Sequence, residues 1–543
     1  MKHPVFCILS SLIFLSQFGL AQTNTLTQHL YTGVDSLFNS VYQANKTGAA
    51  FAIIKNGKIV YKNAKGLANI EHGIRITDTT AFHIASVSKQ FTTYLALLLE
   101  QEGELSFEDD IKTYLPELKH LENSITIKDL TNHTHGLPNL HELAGLKGKD
   151  IMTHQQIIQM LLKINHTNFN TGDTYEYNNT GYALLAEIIE RVGKKPFEEQ
   201  LKQKIFLPLG MYHSEAIGDN NIVVKNKAYS YKLTNGVYEN YRLKFSAMGS
   251  SGINTTINDL SLWAQNYQNP LVGSRAFYDK MEQATYLNSG KKINYGLGLQ
   301  FGTYKGLDIV FHGGGDVGYR SYILHIPKHR LSVVLLANTN DFSALDVVYT
   351  TVDILLSDYL KTETVVKSKL TTGQLKKYEG TYEVQPGLYF NILAKNDSLY
   401  FQQYGTEEMN PLPYITGSTF EFPYINYSKF TFYDNKFDFH IADFTYECFK
   451  TSLTSPNLDE INLDHLSGVF RNKEHKITYE LIVKDRTLIL KRAFGNNIIL
   501  NPLTPESFYS SEIGRLDFII DSNRLVKSFK LSGQNYKNLI FEK

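Results

Sequence analysis

Phe82-His-Ile-Ala-Ser86-Val-Ser-Lys89 holds the first pair of residues whose types and spacing could do chemistry. A helix running from Ser86 toward a stop at Gly103 puts Ser86 in its first turn, with Lys89 one turn on and on the same face. A serine hydroxyl is a poor nucleophile until a base takes its proton. Lysine can be that base only when desolvation or neighbouring positive charge lowers its pKa. The helix N-terminus adds positive potential, and its amides can stabilise a developing oxyanion. Ser-x-x-Lys alone is a cheap pattern, since Ser289-Gly-Lys-Lys292 matches it in a Gly/Lys-rich turn with no helix behind it. Judged on four residues, an ordinary helix cap beside an exposed lysine is the commoner meaning.

Two further groups could complete such a site. Tyr177-Asn178-Asn179 precedes the apolar run Tyr182-Ala-Leu-Leu-Ala, so a phenol and an amide could be presented from a fixed loop at a helix start. The triplet by itself says little, because Tyr-x-Asn recurs at Tyr61, Tyr238 and Tyr267. His312-Gly313-Gly314-Gly315 follows the strand Asp308-Ile-Val-Phe, where glycines would let a substrate approach an edge strand closely. Gly313-x-Gly315-x-x-Gly318 also spells a dinucleotide fingerprint, but a strand rather than a helix follows it, which rejects that reading. An isolated histidine such as His312 is more often structural than catalytic.

The elements that must position these groups can be read from periodicity. Leu26, Leu30, Val34, Leu37, Phe38 and Val41 predict an amphipathic opening helix. Ala50 to Lys55 and Lys58 to Asn63 flank Asn56-Gly57, a strong hairpin signal because both turn positions want positive φ. Strands are expected again at Leu307 to Phe311, Tyr319 to Ile326 and Leu331 to Ala337, and a helix follows from Asp346. Strands at both ends with helical sequence between them predict an α+β domain over about residues 25–360, an antiparallel sheet closed by the domain's termini and faced by helices. Residues 361–374 read as a polar linker. Beyond it Leu375-x-x-Tyr378-x-Gly380-x-Tyr382 returns as Leu463-x-x-Leu466-x-Gly468-x-Phe470, and Asn410-Pro411-Leu412 as Asn501-Pro502-Leu503. Two small antiparallel β-barrels are expected, over residues 375–452 and 460–543.

Composition narrows the function classes. The chain has 543 residues, 42% of them hydrophobic, and its Lys+Arg and Asp+Glu counts are both 54, so no basic field exists to hold nucleic acid. Lys2, the short apolar run Val5 to Leu20 and Gly19-Leu20-Ala21 predict a signal peptide over residues 1–21, hence a secreted or periplasmic bacterial protein with no membrane span after cleavage. Cys448 is then alone in the mature chain, and no intramolecular disulfide is expected. No His-Glu-x-x-His occurs, and His133-x-His135 alone is a weak metal signal, so no metal or other cofactor is expected.

Taken together and in this order, the three groups resemble the serine β-lactamase and penicillin-binding-protein superfamily, in its class C-like branch. The resemblance covers roughly residues 30 to 360. It extends to Leu67-Ala-Asn, Ile127-Lys-Asp-Leu-Thr-Asn-His-Thr-His-Gly-Leu-Pro138, Gly252-Ile-Asn-Thr-Thr-Ile-Asn-Asp-Leu260 with Trp263, and Tyr295-Gly-Leu-Gly298. It implies Ser86 as acyl-accepting nucleophile, Lys89 as its base and Tyr177 as proton relay to the leaving group and deacylating water. Asn179 would orient Lys89 and the substrate amide, the amides of Ser86 and Gly315 would form the oxyanion hole, and His312 with Gly313 and Gly314 would border the substrate. Two departures stand out. His312 replaces the lysine that true class C β-lactamases carry, which looks like family esterases and D-aminopeptidases, and His135 replaces a serine. The two-barrel tail also resembles the D-aminopeptidase architecture. The expected function is therefore a serine hydrolase acting through an acyl-enzyme on a small-molecule or peptide substrate, either an ester or a D-amino-acid-containing peptide or amide. The alternatives are a non-catalytic protein that binds cell-wall peptides and a weak β-lactamase. The sequence leaves the acyl donor and the oligomeric state open.

Overall fold

Asn56 and Gly57 take φ values of 52° and 73°, so the predicted hairpin turn forms with both residues in the left-handed region. In this computed structural model the described residues are 31–543 except 147–150, 341–342, 362–369, 405, 423–427, 442–443, 454–460, 494–495, 523–524 and 534–535. The expected signal peptide, with Leu26 and Leu30 of the opening helix and the middle of the expected linker, lies outside them.

The elements that frame the site are helix α1 (31–41), strands β1 (Ala49–Lys55) and β2 (Lys58–Lys65), then helices α2 (Ser88–Gln101), α3 (Asn179–Gly193) and α4 (Ile257–Gln268). They are followed by strands β3 (Gln300–Tyr304), β4 (Leu307–Asp316), β5 (Tyr319–Ile326) and β6 (Leu331–Ala337), and by helix α5 (Ser343–Leu355). The six strands form one antiparallel sheet in the order β3-β4-β5-β6-β1-β2, so the first and last strand groups meet where β1 pairs with β6, Ala49 opposite Ala337.

Strand β1 is apolar from Ala49 to Ile54 because both of its faces are covered there. Ala50, Ala52 and Ile54 point into a core with Phe91 and Leu95 of α2 and Trp263 of α4. Ala49, Phe51 and Ile53 point the other way, against Val34 and Phe38 of α1 and Val347 and Val348 of α5. The sheet is thereby clamped between two helical layers, and α2, which follows Ser86, is packed rigidly on it. Trp263 fixes that helix further through a 2.6 Å hydrogen bond to Gln90 Oε1 and a ring stack on Phe91 at 4.2 Å.

Among the described residues the tail is mostly β, as its alternating pattern predicts, with short helical turns at Lys376–Tyr378 and Leu463–Leu466 before the first strand of each unit. Its first half is a nine-stranded antiparallel sheet that curls almost into a barrel, with Met409–Leu412 and Tyr414–Thr416 at its two open ends. Its second half is a closed eight-stranded barrel. The sequence repeat has a structural basis. Gly380 and Gly468 each open the first strand of their unit, with φ of 149° and 140°. In each, a Cβ would strike a lysine stem, Lys450 Cε at 2.4 Å or Lys543 Cε at 2.5 Å.

Candidate active site

Ser86 lies in a 3-10 turn, Ala85–Val87, that feeds directly into α2. Ala85 before it takes φ of 45°, a conformation that costs a non-glycine residue about 1–3 kcal/mol and persists only where the surroundings impose it. Those surroundings are β4. Gly314 packs so closely on the turn that a Cβ there would lie 2.2 Å from Ser321 Oγ, 2.4 Å from the Ile84 carbonyl and 3.2 Å from the Ser86 amide nitrogen. Ser321 on β5 locks the same point by donating a 2.6 Å hydrogen bond to the Ile84 carbonyl.

The expectation that the glycines lie on an edge strand needs correction. β3 covers one flank of β4, but its pairing runs only from Leu307 to Phe311. His312 to Asp316 extend past β3, still paired to β5 on the other side, and it is this overhang that faces the nucleophile turn. Gly315 is exposed there, beside the partly exposed Ser86.

Lys89 is completely buried, and its side-chain nitrogen has three acceptors: Asn179 Oδ1 at 2.7 Å, the Ser250 carbonyl at 3.0 Å and Ser86 Oγ at 3.1 Å. Burial holds its pKa well below the usual lysine value, opposed by the nearby negative charge of Asp316. A neutral amine keeps two N–H bonds. With those given to Asn179 and Ser250, its lone pair points at the Ser86 hydroxyl, which is the arrangement a general base requires. Tyr177 shares a side-chain hydrogen bond with Ser86, and burial raises its pKa above that of a free phenol. It therefore holds its proton at neutral pH, opposite a lysine whose burial favours the neutral amine. The Lys89 nitrogen stands 4.8 Å from the centre of the Tyr177 ring.

His312 is buried and neutral, its pKa pushed down to about 3 by desolvation and by Lys89. Its Nδ1 lies 2.7 Å from the Gly313 carbonyl, which can only accept, so Nδ1 carries the proton. Nε2 is then the acceptor for the Tyr295 hydroxyl at 3.1 Å. The structure thus brings Ser86, Lys89, Tyr177, Asn179 and the glycines to one point, with the His312 ring behind them, 6.3 Å from that of Tyr177.

Sequence reasoning missed several supports. His133 caps the helix Ile127–Asn132 with φ of 65°, accepts a 3.1 Å hydrogen bond from the Asn178 amide on Nδ1, and packs its ring 4.4 Å from Tyr177. It therefore sets the height of the loop that presents Tyr177 and Asn179. The Ser250 carbonyl carries no sequence signal at all. His135 now has a reading: its ring fills the space above α3 left by Gly181, where a Cβ would lie 2.9 Å from His135 Nε2, while Nδ1 accepts from the Leu137 amide at 2.9 Å. From the first tail unit, Tyr446 on the strand Phe444–Thr451 comes close enough for its charge to add to burial in raising both Tyr175 and Tyr177. Glu447 beside it pairs with Lys291 at 2.8 Å.

The Beta-lactamase family profile matches residues 34–355, more than half of the chain and all of the site. The chain belongs to the Beta-lactamase family. It is a serine hydrolase of that family, with relatives on both its peptidase and its penicillin-binding sides. A penicillin-binding protein of Bacillus subtilis (strain 168) is 26% identical over 415 residues, covering 71% of this chain and 89% of the relative. A D-aminopeptidase of Brucella anthropi is 30% identical over 313 residues, 57% of this chain and 59% of that protein. Among solved structures, the octameric penicillin-binding protein homologue from Pyrococcus abyssi superposes with a TM-score of 0.55 at 22% identity, covering 87% of this chain and 99% of that one. The D-amino acid amidase from Ochrobactrum anthropi SV3 gives 0.50 at 19% identity, over 61% and 98%. At these identities the two structures establish the shared Beta-lactamase-type fold.

Proposed function

We propose that this Beta-lactamase-family protein cleaves an ester or a D-amino-acid-containing peptide or amide through an acyl-enzyme on Ser86. The observation that carries the reading is the Lys89 amine, held by Asn179 and Ser250 with its third direction on Ser86 Oγ at 3.1 Å. Lys89 takes the Ser86 proton as Oγ attacks the substrate carbonyl carbon. The resulting oxyanion is met by the amides of Ser86 and Gly315. Tyr177 gives its proton to the departing amine or alkoxide and recovers one from Lys89. Water then attacks the acyl carbon, losing a proton to the same pair, and Ser86 leaves with a proton restored. Burial pushes both carriers toward the states this order needs, a neutral amine and an intact phenol.

The relatives named as D-aminopeptidase and D-amino acid amidase favour a D-aminoacyl donor. The neutral His312 weighs against efficient β-lactam turnover, because it offers no permanent cation for a lactam carboxylate. A binding-only role is disfavoured because nucleophile and base are both present and in contact. Tyr446 approaches Tyr177 from the tail, which supports a part for the first barrel in substrate choice rather than in chemistry. Export by the signal sequence would place the enzyme outside the cytoplasm. A hydrolysis screen of esters, D-amino amides, cell-wall stem peptides and lactams, with the native protein and Ser86→Ala, tests the reading. Turnover of any class that survives Ser86→Ala at the native rate would remove it.

A further inference from the structure

Asp316 is the last residue of the oxyanion strand β4, and the acyl-enzyme scheme gives it no task. It lies on β4 in register with His312 and Gly314, at alternate positions, so its side chain projects from the same face of the strand that packs on the Ser86 turn. Its side chain is 27% exposed, while its partner His83 is 3% exposed. His83 Nε2 meets Asp316 Oδ2 at 3.1 Å, and a carboxylate can only accept, so the imidazole donates from Nε2 and leaves Nδ1 bare and without a partner. A buried histidine therefore aims a partly exposed carboxylate, which lies near enough to the site for its charge to act on Lys89. Two amines share its field, Lys89 and Lys227, and burial lowers the pKa of both, that of Lys227 to about 8. The carboxylate keeps negative potential in a cleft where His312 supplies no compensating charge.

We infer that Asp316 binds a cationic group on the acyl side of the substrate, the α-ammonium of a D-aminoacyl donor, and repels donors that carry a carboxylate there. The inference rests on the proposed acyl-enzyme reading. Its geometric ground is that an α-amine is two bonds from the reacting carbonyl carbon. A group that recognises it must stand next to the residue that holds the oxyanion, and Asp316 directly follows Gly315. The attraction is a charge-assisted hydrogen bond to a group the substrate already carries, so it selects substrates without adding a catalytic step.

The test compares D-alanine p-nitroanilide with D-lactic acid p-nitroanilide, near-isosteres that differ in an ammonium against a hydroxyl, with Ser86 acylation followed by intact mass. The full-length native protein is expected to favour the amine by about 10-fold or more in kcat/KM, from the strength of a hydrogen bond to a charged group. Asp316→Asn should collapse that ratio toward one, and Asp316→Glu should keep part of it. A native ratio at or below one, with the lactoyl compound still acylating Ser86, overturns the role of Asp316 and leaves the hydrolase reading standing. An Asp316→Asn ratio equal to the native one does the same. If neither anilide nor a simple phenyl ester acylates Ser86, both readings fall together.

Discussion

Asn179 Oδ1 lies 2.7 Å from Lys89 Nζ, closer than the 3.1 Å that separates the same nitrogen from Ser86 Oγ. The amide thus grips the base more tightly than the base grips its proton donor, and the lone pair keeps its aim after Ser86 has moved. Asn179→Ala removes the grip while Asn178, which caps α3 by accepting from the Thr180 amide, leaves the helix start in place. The expected result is a fall of about 10-fold or more in kcat with an unchanged melting temperature. Native kcat in Asn179→Ala would show that Lys89 needs no orientation from this side.

The pH dependence follows from the sign of two shifts. Burial lowers the Lys89 pKa, and only the neutral amine can accept the Ser86 proton, so activity should climb as pH rises through that lowered pKa and be fully developed well below the free-lysine value. The Tyr177 pKa is raised by burial, so no loss from phenolate formation is expected near neutrality. A kcat/KM profile on a neutral ester checks this. Activity that appears only above pH 10 would mean that Lys89 titrates like a solvated lysine.

Gly314→Ala tests the contact that sets the Ser86 turn. The new methyl would meet Ser321 Oγ and the Ile84 carbonyl at 2.2 and 2.4 Å, so strand and turn must separate. A displacement of this kind costs about 10²-fold in turnover when it moves reacting groups. Steady-state kinetics beside circular dichroism separates this from unfolding. A folded Gly314→Ala protein with native kcat would show that the oxyanion strand tolerates displacement.

Because His312 is neutral, with a pKa near 3, a cephalosporin should be turned over at least about 10-fold more slowly than the best ester, the order of one missing hydrogen bond to a charged group. Cephalosporin hydrolysis matching the best ester would contradict this.

The sheet was legible because its strands are bounded by turn chemistry that leaves little choice: Asn56-Gly57 for one hairpin and Pro327 to Arg330 for another, whose flanking strands fall at the expected residues Tyr319–Ile326 and Leu331–Ala337. The length of β4 was not legible. Three of its last five residues are glycines with no side chain to alternate, so periodicity ends at Phe311 while the strand continues to Asp316. Ser86, Lys89, Tyr177 and Asn179 could be found because each has a chemical type and a helix start beside it. The Ser250 carbonyl has no type to read, and His133 acts through a backbone hydrogen bond to Asn178 that no spacing rule predicts. Tyr446 was hidden for another reason, since its approach to Tyr177 depends on how a separate barrel docks.

The central claim is that Ser86 accepts the acyl group. A fluorophosphonate probe on the full-length protein, followed by peptide mass mapping, tests it most directly. The account predicts one adduct on the peptide containing Ser86, lost in Ser86→Ala and slowed about 10²-fold or more in Lys89→Met. Labelling at Ser289, or an enzyme that turns over substrate while Ser86 remains unmodified, would contradict it.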